Sequence, residues 1–343
     1  MQACSLQLRF NFIQQSWVPD QSVWDLILPS VERWHSLEIL VPNETALYTT
    51  LAHLEPFEAS LLEQLTITHE SGIHIYPIEY TPRFRTGSSG RCFHGGAPRL
   101  QTLHLEGSYL TSWPPLARLA NLHLHNLRRS TRPSWSRLRD LLVSSLVLSR
   151  LSIHGDIVSG KRPSNFEIGM PCLRSLRIRG TTALGNRASD LLLAIWAPNL
   201  MSLTLFDMVH TDLDPWLSGF QLLQSLTSLT LYWPNFTTVT YAKLFRTMPS
   251  VTRLALMDRQ PEDFLLFLGR PISGLLDFPW PELADFALYP DNPNHGDIAD
   301  MINGRAGHAS LHRLRVGSGA HFSAVQVLPY DSPPPWPAWP EQL

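Results

Sequence analysis

A short apolar pattern, L-x-x-L-x-L, recurs along almost the whole chain and constrains its fold more than any other feature. Isoleucine, valine, tryptophan or phenylalanine sometimes replaces one of its leucines. Its fourth position falls, with a mean spacing of about 28 residues, at residues 37, 65, 103, 122, 151, 176, 203, 229, 254, 286 and 314. Self-similarity at one period predicts a stack of similar units, because a single unit of this size cannot bury its own apolar side chains.

Each copy of the pattern predicts a short β-strand with one buried face. Alternate side chains of a strand point to opposite faces. We therefore expect Leu176 and Ile178 to point into a common core while the residues beside them point outward. Turn-forming residues follow many copies of the pattern and are predicted to end the strands. They are Gly107, Asn126, Gly155, Gly180, Asp207 and Asp258.

Several segments between the copies have helical spacing, at residues 21–34, 189–197, 240–248 and 297–306. Strands joined by such crossovers run parallel, and the period lies within the roughly 20–29 residues of leucine-rich repeats. We therefore predict an α/β leucine-rich-repeat solenoid, with a curved parallel β-sheet and helices or irregular returns on its convex side. A doubly wound α/β domain is a weaker alternative, because its strands are nearly continuous apolar runs.

The pattern predicts one repeat array over residues 1–328, with about 12 irregular repeats and a first strand at Leu6 and Leu8. Residues 81–98 are rich in glycine, arginine and serine and are expected to form a mobile loop insertion. The proline-rich tail, residues 329–343, is expected to be disordered. Binding of this tail to an SH3 or WW domain is an alternative that polyproline segments offer.

Charge and cysteine content argue against several classes of function. The net charge of −2 and the pI of about 6.7 give no reason to expect nucleic acid or an anionic membrane as a partner. The three cysteines form no CxxC pair, so neither a disulfide framework nor a zinc site is predicted. Without a secretory signal or a run of about 18 apolar residues, we expect an intracellular protein, cytoplasmic or nuclear, that does not enter membranes.

The sequence contains one near-match to a catalytic motif. Residues 155–161 have the G-x-x-x-x-G-K spacing of a phosphate-binding loop, but Arg162 and Pro163 follow. A serine or threonine is required there to bind magnesium. The metalloprotease, nucleophile-elbow and dinucleotide-binding motifs are all missing. We therefore expect no catalytic residues, no metal and no cofactor, with an unrecognised hydrolase as the weaker alternative.

The outward positions of successive strands predict a binding surface. Histidines and arginines cluster on the middle strands, and aromatic residues cluster on the later strands with Trp233 close by. The candidate partner-binding residues are His104, His123, His125, Arg150, His154, Arg177, Arg179, Phe206, Tyr232, Met257 and Tyr289. Arginine and aromatic residues are frequent interface anchors. The surface therefore fits a protein or peptide with acidic and apolar groups, whose attraction to the histidines should grow below about pH 6.5.

Each patch also has alternative interpretations. The histidines could bind zinc, and the aromatic residues could pack under a neighbouring loop or under the tail. Single-stranded RNA could stack on the aromatic rings, although the nearly neutral chain disfavours it. A partner-binding surface is the interpretation that we carry forward.

Several copies share a longer pattern that extends to both sides of the strand. These segments are SLQLRFNF (5–12), SVERWHSLEIL (30–40), APRLQTLHLEG (97–107), MPCLRSLRIRG (170–180), APNLMSLTLFD (197–207) and MPSVTRLALMD (248–258). The pattern resembles the C-terminal repeats of fungal F-box proteins, especially those of mushroom-forming fungi, as far as about residue 320. The regular asparagine ladder of extracellular receptors is missing, which favours the irregular intracellular type.

The resemblance implies a role in selecting substrates for a ubiquitin ligase. In that family an N-terminal F-box module binds a Skp-type adaptor, and the repeats bind the substrate. No such module precedes the repeats in this sequence, so we expect the substrate-binding half without an adaptor site. A truncated or degenerate repeat protein with no specific ligand is the main alternative.

Overall fold

The computed structural model describes residues 5–12, 21–69, 92–107, 116–127, 132–180, 187–219, 223–258, 261–271, 278–290, 294–306, 311–317 and 326–327. The predicted tail and residues 81–91 of the predicted loop insertion lie outside these ranges. The chain divides into two compact units, Met1–Ile168 and Gly169–Leu343.

Unit 1 contains parallel strands that pair in chain order. The strands are β1 (Leu6–Asn11), β2 (Trp34–Val41), β3 (Gln64–His69), β4 (Thr102–Glu106), β5 (Asn121–His125) and β6 (Arg150–His154). The helices are α1 (Gln21–Ile27), α2 (Glu44–Leu54) and α3 (Trp135–Ser144), with a 3-10 helix over Leu28–Arg33. That 3-10 helix contains Pro29, which explains why the predicted helix over 21–34 has two parts.

Unit 2 repeats the same plan. Its strands are β7 (Ile168–Gly169, at the boundary), β8 (Ser175–Arg179), β9 (Ile195–Trp196), β10 (Ser202–Phe206), β11 (Ser228–Tyr232), β12 (Arg253–Asp258), β13 (Asp285–Pro290), β14 (Arg313–Val316) and β15 (Gln326–Val327). Its helices are α4 (Arg187–Ala194), α5 (His210–Gly219), α6 (Thr238–Thr247), α7 (Glu262–Leu268) and α8 (His295–Arg305). Strand β8 and strands β10 to β15 pair in parallel in chain order. Consecutive helices pack against one another.

The strands align so that equivalent positions of the sequence pattern face each other. Leu203 of β10 pairs with Leu176 on one side and with Leu229 on the other. The leucines at 203, 205, 229 and 231 are at most 1% exposed. The predicted alternation is therefore confirmed, and the described residues define an α/β protein built on parallel strands, as a solenoid requires.

The residues that end the strands adopt a left-handed backbone conformation. Gly107, Asn126, Gly155 and Asp207 have φ between 47° and 74°, a region that glycine, asparagine and aspartate tolerate best. The N–H groups of Gly107, Asn126 and Asp207 donate to the last carbonyl of the next strand, and that of Asn126 donates to His154 O at 2.8 Å. The sequence preference at this position therefore reflects backbone geometry that recurs from strand to strand.

One part of the predicted mobile insertion is ordered. Cys92 and Phe93 are buried, and the backbone of residues 92–98 is hydrogen-bonded to residues 55–59. Two buried side chains therefore hold this end of the insertion in place, which its glycine and arginine content does not predict.

A buried arginine holds together one end of the helical layer in unit 2. Arg305, the last residue of α8, is 1% exposed. Its guanidinium donates to the carbonyl oxygens of Leu268, Pro279 and Trp280 at 3.1, 2.7 and 2.8 Å. Burial lowers the pKa of Arg305 to about 10, so the group stays charged at neutral pH. It provides hydrogen bonds to three carbonyl oxygens.

The Arg305→Met variant should have a free energy of unfolding about 3 kcal/mol lower than the wild type. The reason is that hydrogen bonds from a charged donor are lost and three buried carbonyls lose that donor. Chemical denaturation measures the change. Arg246→Met, at an exposed position of α6, is the matched control and should change it by less than about 0.5 kcal/mol. Equal effects of the two substitutions would contradict the structural role of Arg305.

Candidate functional site

The four candidate histidines of unit 1 come together on the sheet face opposite the leucines. Strand β4 carries His104, β5 carries His123 and His125, and β6 carries His154. The ring centres of His104 lie 5.4 Å from His123 and 4.8 Å from His125, and those of His125 and His154 lie 5.7 Å apart. We call these four residues the histidine cluster.

The histidine cluster is more enclosed than a solvent-facing column would be. His123 is 6% exposed and His125 is 3% exposed, and Nε2 of His125 lies 3.3 Å from Oγ of Ser152. Burial lowers the pKa of His104 below its ordinary value of 6.5. Burial also raises the pKa of Glu106, whose strand neighbour is His125. Burial therefore favours the neutral imidazole of His104, which weakens its predicted attraction for acidic partners.

Arg150 lies apart from the histidine rings. It begins strand β6 and pairs with Asn121, whereas His154 ends that strand. Four residues of extended chain separate two side chains by about 13 Å. The structure thus brings the four histidines together and leaves Arg150 at the other edge of the face.

The two candidate arginines of unit 2 have different environments. Arg177 is 2% exposed, and burial lowers its pKa to about 10, partly offset by Tyr232. Arg179 places its guanidinium carbon 4.1 Å from the ring centre of Phe206, and its Nη2 lies 3.2 Å from Oδ2 of Asp207. Arg177 is therefore a buried residue of this face, where it pairs with Thr204, while Arg179 belongs to an aromatic and acidic group of contacts.

Aromatic side chains form a continuous group on the same face of unit 2. Phe206 stacks on Tyr232 with ring centres 5.1 Å apart, and Trp233 meets Phe206 edge-on at 5.0 Å. Trp233 is 38% exposed and has a φ of 47°, which is unusual for a bulky residue. We call Phe206, Tyr232 and Trp233 the aromatic cluster.

Met257 and Tyr289 continue the column of Tyr232. Met257 pairs with Tyr232 on one side and with Tyr289 on the other. These candidates therefore lie together, as the sequence predicts. The pattern L-x-x-L-x-L did not predict the backbone conformation of Trp233, because a large residue replaces the usual turn former there.

The sequence analysis also missed a depression beside this column, which we call the alanine hollow. Its floor is formed by Ala255 and Ala287, and its volume is about 190 Å³. Its walls are Arg253, Asp285, Tyr289, Arg313 and Arg315. The sequence feature that could have predicted this depression is the presence of two small residues at equivalent positions of neighbouring repeats.

Among the described residues, no group of three or more histidine, cysteine, aspartate or glutamate side chains is placed to hold a metal ion. The glycine-rich segment 155–161 is followed by turns and extended chain rather than by the helix of a phosphate-binding loop. None of the helices in the described part of the chain is long and apolar enough to cross a membrane.

Comparison with known proteins adds no assignment. No protein-family model matches this chain, and no curated protein is similar enough to count as a match. Function is therefore inferred from the geometry of the sheet faces.

Replacing His104 should reduce the loss of stability in mild acid. Because burial lowers the pKa of His104, the unfolded chain binds its proton more readily, and stability falls as the pH decreases below 6.5. Glu106 has the opposite effect, since its raised pKa favours the folded state as the pH decreases towards its ordinary range. Denaturation at pH 7.5 and 5.5 should show a smaller difference in unfolding free energy for His104→Gln than for the wild type.

His94→Gln, at an exposed position, is the control for this experiment. The difference in unfolding free energy between pH 7.5 and pH 5.5 should be the same in this variant as in the wild type. An unchanged difference in His104→Gln would show that His104 does not couple folding to protonation.

Proposed function

We propose that the chain is a leucine-rich-repeat solenoid that binds a protein or peptide on the sheet face opposite its leucines. The observation that carries this proposal is the aromatic cluster of unit 2: Phe206 and Tyr232 pair on neighbouring strands and are buried, and Trp233 beside them is exposed to solvent. Aromatic and arginine side chains are enriched at the energetic centres of interfaces, and Arg179 lies directly on Phe206.

The backbone of Trp233 supports the same proposal. A non-glycine residue in the left-handed region costs roughly 1 kcal/mol or more, and at the equivalent position of another repeat the chain has Asn126. An exposed indole held at that cost is consistent with selection for contact with a partner rather than for folding.

The sequence resemblance suggests the biological setting. Repeats similar to those of fungal F-box proteins imply that the partner is a substrate selected for ubiquitination. The residues around the aromatic cluster favour a partner segment that carries both acidic and apolar groups. Burial lowers the pKa of His104, and we assign the histidine cluster of unit 1 a smaller role.

A library of displayed random peptides, selected on the immobilised protein, tests this proposal. We expect enriched peptides whose affinity falls by at least about tenfold in Trp233→Asn, because the loss of an aromatic anchor costs more than about 1.4 kcal/mol. Asparagine keeps the backbone conformation that it already adopts at residue 126. Fluorescence anisotropy of the labelled peptides measures the affinity.

Trp196→Asn is the matched control, because Trp196 is a similarly exposed tryptophan of unit 2, 42% against 38%, outside the aromatic cluster. Its effect on affinity should stay below about twofold. A library that yields no enriched peptide, or peptides that bind Trp233→Asn as tightly as the wild type, would refute the proposal.

A further inference from the structure

The alanine hollow lies where the side chains in the middle column of this face of unit 2 are smallest. Thr230, Ala255, Ala287 and Arg315 follow one another in register on strands β11 to β14. Neighbouring strands lie about 4.8 Å apart, so two alanines lower the surface over roughly 10 Å between larger side chains. The resulting space of about 190 Å³ can hold a side chain of a partner.

One edge of the hollow is cationic. Arg253, Asp285 and Arg313 follow one another in the adjacent column, and Nε of Arg313 lies 3.7 Å from Oδ1 of Asp285. Arg315 closes the end of the middle column. Among the residues that the structure describes, three guanidinium groups and one carboxylate therefore line the hollow, and the excess of positive charge favours an anionic occupant.

The floor of the hollow is apolar. The methyl groups of Ala255 and Ala287 form it, and Tyr289 borders it from the third column with 8% of its surface exposed. An apolar floor beside a cationic edge fits a short aliphatic stem that ends in an anion.

Among the carboxylate side chains of proteins, glutamate fits this arrangement best. Its two methylene groups can cover the alanine methyls while the carboxylate reaches a guanidinium, whose planar fork matches a carboxylate in geometry. Aspartate has one methylene group fewer and would have to leave the floor to reach the same edge.

We propose that the alanine hollow binds a glutamate side chain from an acidic segment of the partner. The inference rests on the proposed function and deepens it, because it names the chemical group that the face selects. The aromatic cluster would then contact the apolar residues of the same segment.

Labelled poly-L-glutamate and poly-L-aspartate of equal length serve as probes, titrated with the whole protein at low salt. We expect poly-L-glutamate to bind more tightly than poly-L-aspartate. Its affinity should fall by at least about tenfold in Ala287→Leu, which fills the hollow without changing the charge, and in Arg315→Gln. Arg246→Gln removes an equal charge from an exposed position of α6 and should have less than about a twofold effect.

Each other outcome contradicts the proposal. Absence of poly-L-glutamate binding, or equal affinity for the two probes, would show that the hollow does not select glutamate. A loss in Arg315→Gln without a loss in Ala287→Leu would indicate attraction by surface charge alone. Thermal unfolding of every variant should stay close to the wild type; if Ala287→Leu is unfolded, Ala287→Val provides the same test with a smaller side chain.

The two proposals can fail separately. Selected peptides that depend on Trp233 but contain no glutamate would retain the proposed function and refute the role of the hollow. Poly-L-glutamate binding that depends on Ala287, in a protein that enriches no peptide from the library, would retain the anionic site and refute the proposed function.

Discussion

Burial of two apolar side chains from every short strand, against those of the next strand, is the interaction on which the remaining structure depends. Burying a leucine contributes about 2 kcal/mol, and the leucines at 203, 205, 229 and 231 are almost completely enclosed. Because strands pair in register, this core fixes the position of each residue on the opposite face as well. Helices, turns and surface columns all follow from that alignment.

The opposite face is chemically different in the two units, although the core residues are alike. Unit 1 places imidazole rings in mutual contact and buries two of them, His123 and His125, and burial makes His104 harder to protonate. Unit 2 combines an aromatic cluster with a depression edged by arginines. One architecture thus supports an imidazole-rich face and an aromatic face beside arginines, and the difference lies in side chains that do not enter the core.

The sequence predicts the strands, their parallel order and the face on which each residue lies, because all three follow from periodicity. It also predicts that the turn-forming residues Asn126 and Asp207 end strands. It could not predict the burial of Arg177, the charge of Arg305 enclosed by carbonyls, or the depression over Ala255 and Ala287. These features depend on the bulk of neighbouring side chains and on loop geometry, which a pattern of apolar positions does not encode.

The left-handed residues at the strand ends influence where such a chain can gain or lose residues. Gly107, Asn126 and Asp207 donate their N–H groups to the last carbonyl of the next strand, which aligns the ends of the paired strands. The return segment begins beyond these ends and can gain or lose residues without displacing the sheet. The return segments of different repeats can therefore differ in length, and new loops could be added, while the surface groups on the sheet keep their mutual distances.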